Sequence, residues 1–472
     1  MKSIRATTSG RQERNALALM AGTVTTALVG LLFWTAATHF YTTAEVGRAS
    51  AVLAAAGFLG NLSHLNMGNV YARFLPTAGQ RTRSLVRWGL VLTGVVGLVL
   101  GTGFALLWPS GSLFASGIER TLFHLAVGVL TVFTVQDAVL LGVGAARWIP
   151  VENLAFSVAK LVLLVALAGV LPRSGLVAAW VAPALVAVVV IVILLHRTFM
   201  PRHMGREDLP EALPRASALA GYAAGELTTG LMIYIVPMVL PLIIVTRLGN
   251  EANAYFAIPE VISSALTMLT WNIAVSFVVE AAANERRARA LARRSLGIAL
   301  AVGCAGAATL LAGAPLILSI FGPAYADQGT TLLRLMALTA PATVVTVVYT
   351  SVLRIHRKVG RVVAIQVALC GIVLTLVSLL IGGLGIVGVG IAYLCAEGGV
   401  AVVVLVPLLR SLREPGPPSA ESALPVARPR VPPGAPDGPA GSSHPAIPSA
   451  VAPQVSAPGW PVTPTAKRND HV

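Results

Sequence analysis

The hydrophobic pattern of this 472-residue chain is a series of long apolar blocks separated by short polar ones. A helix that crosses a bilayer needs about 20 apolar residues. Twelve blocks reach that length: Ala16–Phe40, Val46–Arg73, Leu85–Trp108, Glu119–Val143, Pro150–Leu171, Gly175–Leu195, Ala218–Val245, Ala252–Ala281, Ser295–Phe321, Thr330–Leu353, Val362–Ile381 and Gly385–Leu409. The connections are short, the longest internal one running from about His196 to Arg215. The first block follows a basic stretch as a signal peptide would. At about 25 residues it is too long for a secretory h-region of about 7–15, so it reads as an uncleaved first membrane helix.

Composition agrees. The chain is 56% hydrophobic and 11% charged, against about 25% charged in soluble domains. One soluble core cannot absorb that much apolar surface, so the pattern predicts an all-α integral membrane protein of about twelve helices. The polar connections orient it. With the N-terminus inside, the inner segments before the tail carry 22 Lys and Arg, and the outer ones only Arg48, Arg120, Arg173 and Arg247. Under the positive-inside rule both termini are cytoplasmic, and the protein is expected as a multi-pass protein of the plasma membrane. The net charge of +15 lies in these loop clusters, which is no footprint for nucleic acid.

Domain organisation follows: a cytoplasmic N-terminus (1–15), a first lobe of six helices (16–195), a basic linker (196–217), a second lobe of six (218–409) and a tail (410–472). Residues 411–472 hold 15 of the 30 prolines, with Ala, Ser and Gly between them. Such a stretch cannot bury enough apolar surface to fold and reads as disordered.

The two halves resemble each other. At an offset of 213, Asn153 falls on Gln366, Gly169 on Gly382, Gly175 on Gly388, Ala179 on Ala392 and Trp180 on Tyr393. At an offset of 206, Glu45-Val46-Gly47 falls on Glu251-Ala252-Asn253. Six helices per half keeps the halves in the same orientation, which is a parallel repeat about an axis along the membrane normal. Transporters place substrate sites at such interfaces.

Three stretches carry a family likeness: Ala44-Glu45-Val46-Gly47 running on to Met67-Gly68-Asn69-Val70-Tyr71-Ala72-Arg73-Phe74-Leu75-Pro76; Phe321-Gly322-Pro323-Ala324-Tyr325-Ala326 leading into Leu332-Leu333-Arg334; and Gly385-Ile386-Val387-Gly388-Val389-Gly390-Ile391-Ala392-Tyr393. Over about residues 15–410 the chain resembles the polysaccharide and oligosaccharide-lipid flippases (O-antigen-flippase-like) of the superfamily that also holds the multidrug and toxin extruders. Twelve helices rather than fourteen counts against the lipid II flippase branch. The resemblance implies a V-shaped, alternating-access transporter of two six-helix lobes. It would move a polyprenyl-diphosphate-linked glycan from the inner to the outer leaflet, with proton or sodium coupling. Its implied partners are that lipid-linked glycan, membrane lipids and glycan-assembly proteins.

Ionisable residues inside the hydrocarbon cost about 2.5–3.5 kcal/mol each on insertion scales, so they face a cavity or each other. Lys160 and Asp137 lie within about two turns of each other in depth on adjacent helices and read either as a structural ion pair or as a protonatable pair. Glu226 and Glu260 stand on the first two helices of the second half, where the family lines its cavity. With Asp137 and Glu397 they are the ion-coupling candidates. Arg48 and Arg73 bracket the second block and either snorkel to headgroups or fork onto a diphosphate. His64 is either packed or turned to a cavity. Arg334 has no partner visible in the sequence. GxxxxGK[ST], HExxH and CxxC are all missing, so nothing calls for a cofactor, a metal or an enzyme. Cys304, Cys370 and Cys395 lie within apolar runs as small hydrophobes. The rivals to a glycolipid flippase are an ion-coupled multidrug-type antiporter, a membrane enzyme and a scaffold subunit of a glycan machine. The enzyme is disfavoured by outer loops too short to carry catalytic carboxylates.

Overall fold

The computed structural model of the chain describes residues 29–108, 113–114, 116–205, 219, 235–283, 288–356 and 358–413, with the backbone alone for 274–283, 288–292 and 412–413. The expected N-terminus 1–15, Glu226, the linker beyond 205 and the tail beyond 413 lie outside the described residues.

The described elements are helices. In the first lobe they are α1 (Val29–Phe40), α2 (Thr43–Ser63), α3 (Met67–Phe74), α4 (Thr82–Leu107), α5 (Gly117–Gly142), α6 (Trp148–Ala168), α7 (Gly175–Leu194) and a short α8 (Met200–Met204). In the second they are α9 (Ile235–Leu248), α10 (Asn250–Ala283), α11 (Ala288–Ser319), α12 (Pro323–Ile355) and α13 (Val359–Arg413). α13 is two spans: Gly385, at φ 56°, interrupts it, a left-handed conformation open to glycine at no steric cost. Among the described residues seven helices are long and apolar enough to cross a membrane.

Two expectations change here. The second block is not one helix. His64-Leu65-Asn66 separates α2 from α3, with Leu65 at φ 48° and Asn66 at φ 55°. Asn tolerates this region, whereas a bulky Leu is strained there. The Asn69 amide donates to Asn66 Oδ1 at 2.7 Å and staples the break. The second change is at the linker. It does not begin as a loop at His196: the helix continues through a π-turn, Leu195–Phe199, into α8. Phe199, Met200 and His203 are buried there, and the His203 ring lies 3.2 Å from the Leu75 carbonyl.

Tertiary contacts repeat between the halves. Gly175 faces Leu167, where an added Cβ would meet its carbonyl oxygen at 3.3 Å. At the offset of 213, Gly388 faces Leu380 with the same carbonyl at 2.9 Å. α5 begins at Gly117 and α12 at Pro323, 206 residues on.

The lobes join at one end, where α2 and α10 begin. We call it the outer end, after the charge count. There a single apolar core takes in Phe33, Val46, Val52, Ala254, Ile258 and Leu318 from both lobes. The first lobe's inner end has a separate core around Tyr71, Val139 and Leu195, and the second lobe has its own around Leu240, Val348 and Val400. At the crossing, Asn253 Nδ2 donates to the Gly47 carbonyl at 2.7 Å and to Ser50 Oγ at 2.9 Å. Gly47 and Asn253 are partners in the repeat, so the axis relating the lobes passes close by. A Cβ on Gly47 would stand 2.7 Å from the Ala254 nitrogen, which is why the position is glycine.

Candidate functional site

Arg48 stands one turn into α2, beside that crossing, and is 4% exposed. One guanidinium nitrogen donates to both Glu119 oxygens, at 2.8 and 3.0 Å, and to the Leu113 carbonyl at 3.3 Å. The Nε donates to Glu45 at 3.0 Å, and the third nitrogen to the Arg173 carbonyl. The chain itself thus occupies all three nitrogens. Arg48 ties α2 to α5 and to the α6–α7 turn, and neither snorkels to headgroups nor offers a fork to a diphosphate. Arg120 is anchored nearby, donating to the Ala105 and Trp108 carbonyls that end α4, at 2.6 and 3.2 Å. Cations suit a helix C-terminus. Two of the four outward arginines are therefore consumed by protein contacts.

Lys160 is 5% exposed, between α1, α6 and α7. Its ammonium lies 3.9 Å over the Trp180 ring and 5.2 Å from Phe33 and Phe156. The expected pairing with Asp137 does not form, because Asp137 accepts from Asn153 at 3.4 Å instead, two turns along α6. Among the described residues no carboxylate pairs with Lys160. Aromatic faces hold the charge, at about 2 kcal/mol or more when desolvated.

The second lobe gathers charge of the other sign. Tyr393, the repeat partner of Trp180, lies in the electrostatic range of both Glu260 on α10 and Glu397 on α13. The Thr343 hydroxyl of α12 is within hydrogen-bond reach of Glu397, whose second oxygen is buried without a donor. Two ion-coupling candidates from distant parts of the sequence thus share one neighbour. Tyr393 was legible beforehand only as a repeat match.

The other candidates are dispersed. Arg73 is exposed near the inner end of α3, its guanidinium 5.5 Å from the Phe74 ring. His64 caps α2 at the break, half-buried beside Gly68. Asp137 belongs to a polar quartet with Gln136, Glu152 and Asn153. Glu152 and Gln136 were not singled out in the sequence, because one polar residue in an apolar run does not show which neighbour it meets. Arg334 does have a partner, the Leu311 carbonyl at 3.0 Å. Pro315, four residues beyond Leu311, has no N–H to offer it, and Arg334 supplies the missing donor.

No family model and no curated protein sequence matches the chain. Solved structures do. A multidrug resistance MATE family transporter of the MOP superfamily, in an inward-facing conformation, superposes with a TM-score of 0.64 at 15% identity, over 82% of this chain and 94% of that one. The lipid II flippase MurJ, in an inward closed conformation, gives 0.65 at 11% identity, over 84% and 88%. This chain has their fold. An outward-facing MATE transporter gives 0.52 at 15% identity, over 83% of this chain and 95% of that one.

Proposed function

We propose that this chain is a membrane transporter of polyprenyl-diphosphate-linked oligosaccharide or a related polysaccharide precursor, moving it from the inner to the outer leaflet for cell-surface polysaccharide synthesis. The fold supports a transporter, and MurJ is by name a flippase of a lipid-linked substrate. The observation that carries the anionic substrate is Lys160. A desolvated ammonium with no carboxylate among the described residues repels organic cations and favours a diphosphate. Arg73 at the inner end would receive the headgroup first, and Lys160 would take it deeper. Glu260 and Glu397 would couple the cycle to a proton or sodium gradient. Alternating access then requires the Asn253–Gly47–Ser50 contact to break as the outer end opens.

One observation favours an ion-coupled multidrug-type antiporter instead. Tyr393 within electrostatic range of two carboxylates would suit a lipophilic cation. Proteoliposomes decide between the two. A fluorescent polyprenyl-diphosphate oligosaccharide should become accessible to a membrane-impermeant quencher on the far side, and Lys160→Met should abolish this. Gradient-driven uptake of a fluorescent organic cation, without movement of the lipid, would establish the rival.

A further inference from the structure

We propose that the groove between α6 and α7 holds one anionic phospholipid of the inner leaflet, its acyl chain along the groove and its phosphate at the inner mouth. The groove encloses about 630 Å³. α6 gives Val151, Ala155, Ala159 and Val162 to one wall, and α7 gives Val186 and Val190 to the other. On each helix these positions recur at three to four residues, so each turns one continuous apolar face to the groove. All six are exposed. A contiguous apolar surface of this kind marks a place where something apolar sits, and in a bilayer that is hydrocarbon.

Positive charge enters only at the inner mouth. There Trp148 begins α6 and Leu194 ends α7, and both line the groove. Arg147 directly precedes Trp148, and Arg197 lies three residues beyond Leu194; both are exposed. Among the described residues the ion pairs belong to Arg48, so neither arginine is neutralised by one. The Trp148 indole N–H is buried without an acceptor, and its ring is held against Phe199 at 5.8 Å. A buried donor left without an acceptor is costly. Two cations and one orphan donor at the same mouth specify an oxyanion. Arg forks onto phosphate oxygens, and basic positions between helices on the cytoplasmic side suit anionic headgroups. The acid on the wall, Glu152, stands one turn deeper than Trp148 and takes the Gln136 amide on one oxygen.

Length decides how the lipid lies. From Trp148 to Ala166 the α6 wall rises about 27 Å at 1.5 Å per residue, against a hydrocarbon core of about 30 Å. An acyl chain that enters at the inner mouth therefore follows the inner half of the groove, past Ala155 to Ala159. The small side chains there leave room for it. Phe156 stands between them on the same wall and is also one of the rings around Lys160, 5.2 Å from its ammonium. A bound chain thus packs against the aromatic cage that holds the buried charge. The site needs only a bilayer with anionic lipid and does not rest on the transport reading.

The test is lipid retention by the full chain, purified in detergent, stripped of lipid and read by native mass spectrometry. Phosphatidylglycerol and phosphatidylcholine with the same acyl chains are titrated in turn. The first phosphatidylglycerol should bind at a concentration about tenfold below that needed for phosphatidylcholine. Arg147→Gln with Arg197→Gln should abolish the difference. Arg81→Gln with Arg83→Gln, which removes the same charge from exposed positions at the start of α4, should leave it. Ala155→Phe fills the groove from an exposed position and should lose the tightly held lipid with both arginines in place. Trp148→Phe keeps the ring, removes only the donor and should weaken retention a few-fold. Equal retention of the two lipids, or a preference that survives either the Arg147 and Arg197 changes or Ala155→Phe, overturns the site. Displacement of phosphatidylglycerol, one for one, by a polyprenyl diphosphate would also overturn it, by giving the groove to a transported lipid. Selective retention in a protein that moves no lipid in proteoliposomes would overturn the flippase reading and leave the site standing.

Discussion

Trp180 and Tyr393 occupy the same position in the two halves of the repeat, yet they face opposite charges. Trp180 covers the Lys160 ammonium, and Tyr393 lies within electrostatic range of Glu260 and Glu397. The outer ends differ in the same way. In the first lobe Arg48 and Glu119 form a buried ion pair. At an offset of 206 their counterparts are Ala254 and Tyr325, and Tyr325 packs edge-on against Tyr255 at 5.3 Å. The backbone scaffold is held in common, down to the Gly175–Leu167 and Gly388–Leu380 contacts, while the charges are not. Two copies of one packing solution have been given side chains of different charge.

The ion pair gives the largest expected effect. Arg48→Ala leaves Glu119 buried without its cation and should cost about 3–5 kcal/mol, read as a lower melting temperature in detergent. Arg48→Lys should recover only part of this, since an ammonium cannot fork onto both Glu119 oxygens. Ala254→Arg in the second lobe should gain nothing, because Tyr325 offers no carboxylate. Next come the shared glycines. Gly175→Ala and Gly388→Ala should each cost about 1–3 kcal/mol by overpacking. Similar losses at both sites would show that the scaffold is shared, and a loss at one alone would break the comparison. Gly47→Val should separate the lobes at the outer end. Disulfide formation between Ser50→Cys and Asn253→Cys, read on a gel, should fall to background in that variant. The smallest effect is at the tail: truncation after Arg413 should leave insertion and transport unchanged, since such a segment contributes no packed surface. Loss of transport with the protein still in the membrane would contradict this.

Much of the fold was legible. Apolar block length gave the helices, and glycine spacing gave the repeat, because both report on backbone packing that recurs at fixed intervals. The break at His64–Asn66 was hidden, since nothing in Ser63-His64-Leu65-Asn66 forces a Leu into the left-handed region. The candidate site was legible by residue type and not by partner. Lys160 and Asp137 stand on adjacent helices, but Asp137 meets Asn153, two turns along α6 from Lys160, while Lys160 lies over Trp180. Arg48 looked available because Glu119 lies 71 residues away. Arg334 found a partner only because Pro315 frees a carbonyl on the neighbouring helix.

The most direct test of opposite charge in like lobes is a binding measurement on the full chain in nanodiscs, using a polyprenyl diphosphate and varying the sodium and proton concentrations. The account predicts that Lys160→Met weakens binding by about tenfold at every ion concentration, while Glu397→Gln keeps the affinity and loses its dependence on the ion. Unchanged affinity in Lys160→Met, or lost affinity in Glu397→Gln with the ion dependence intact, would contradict it.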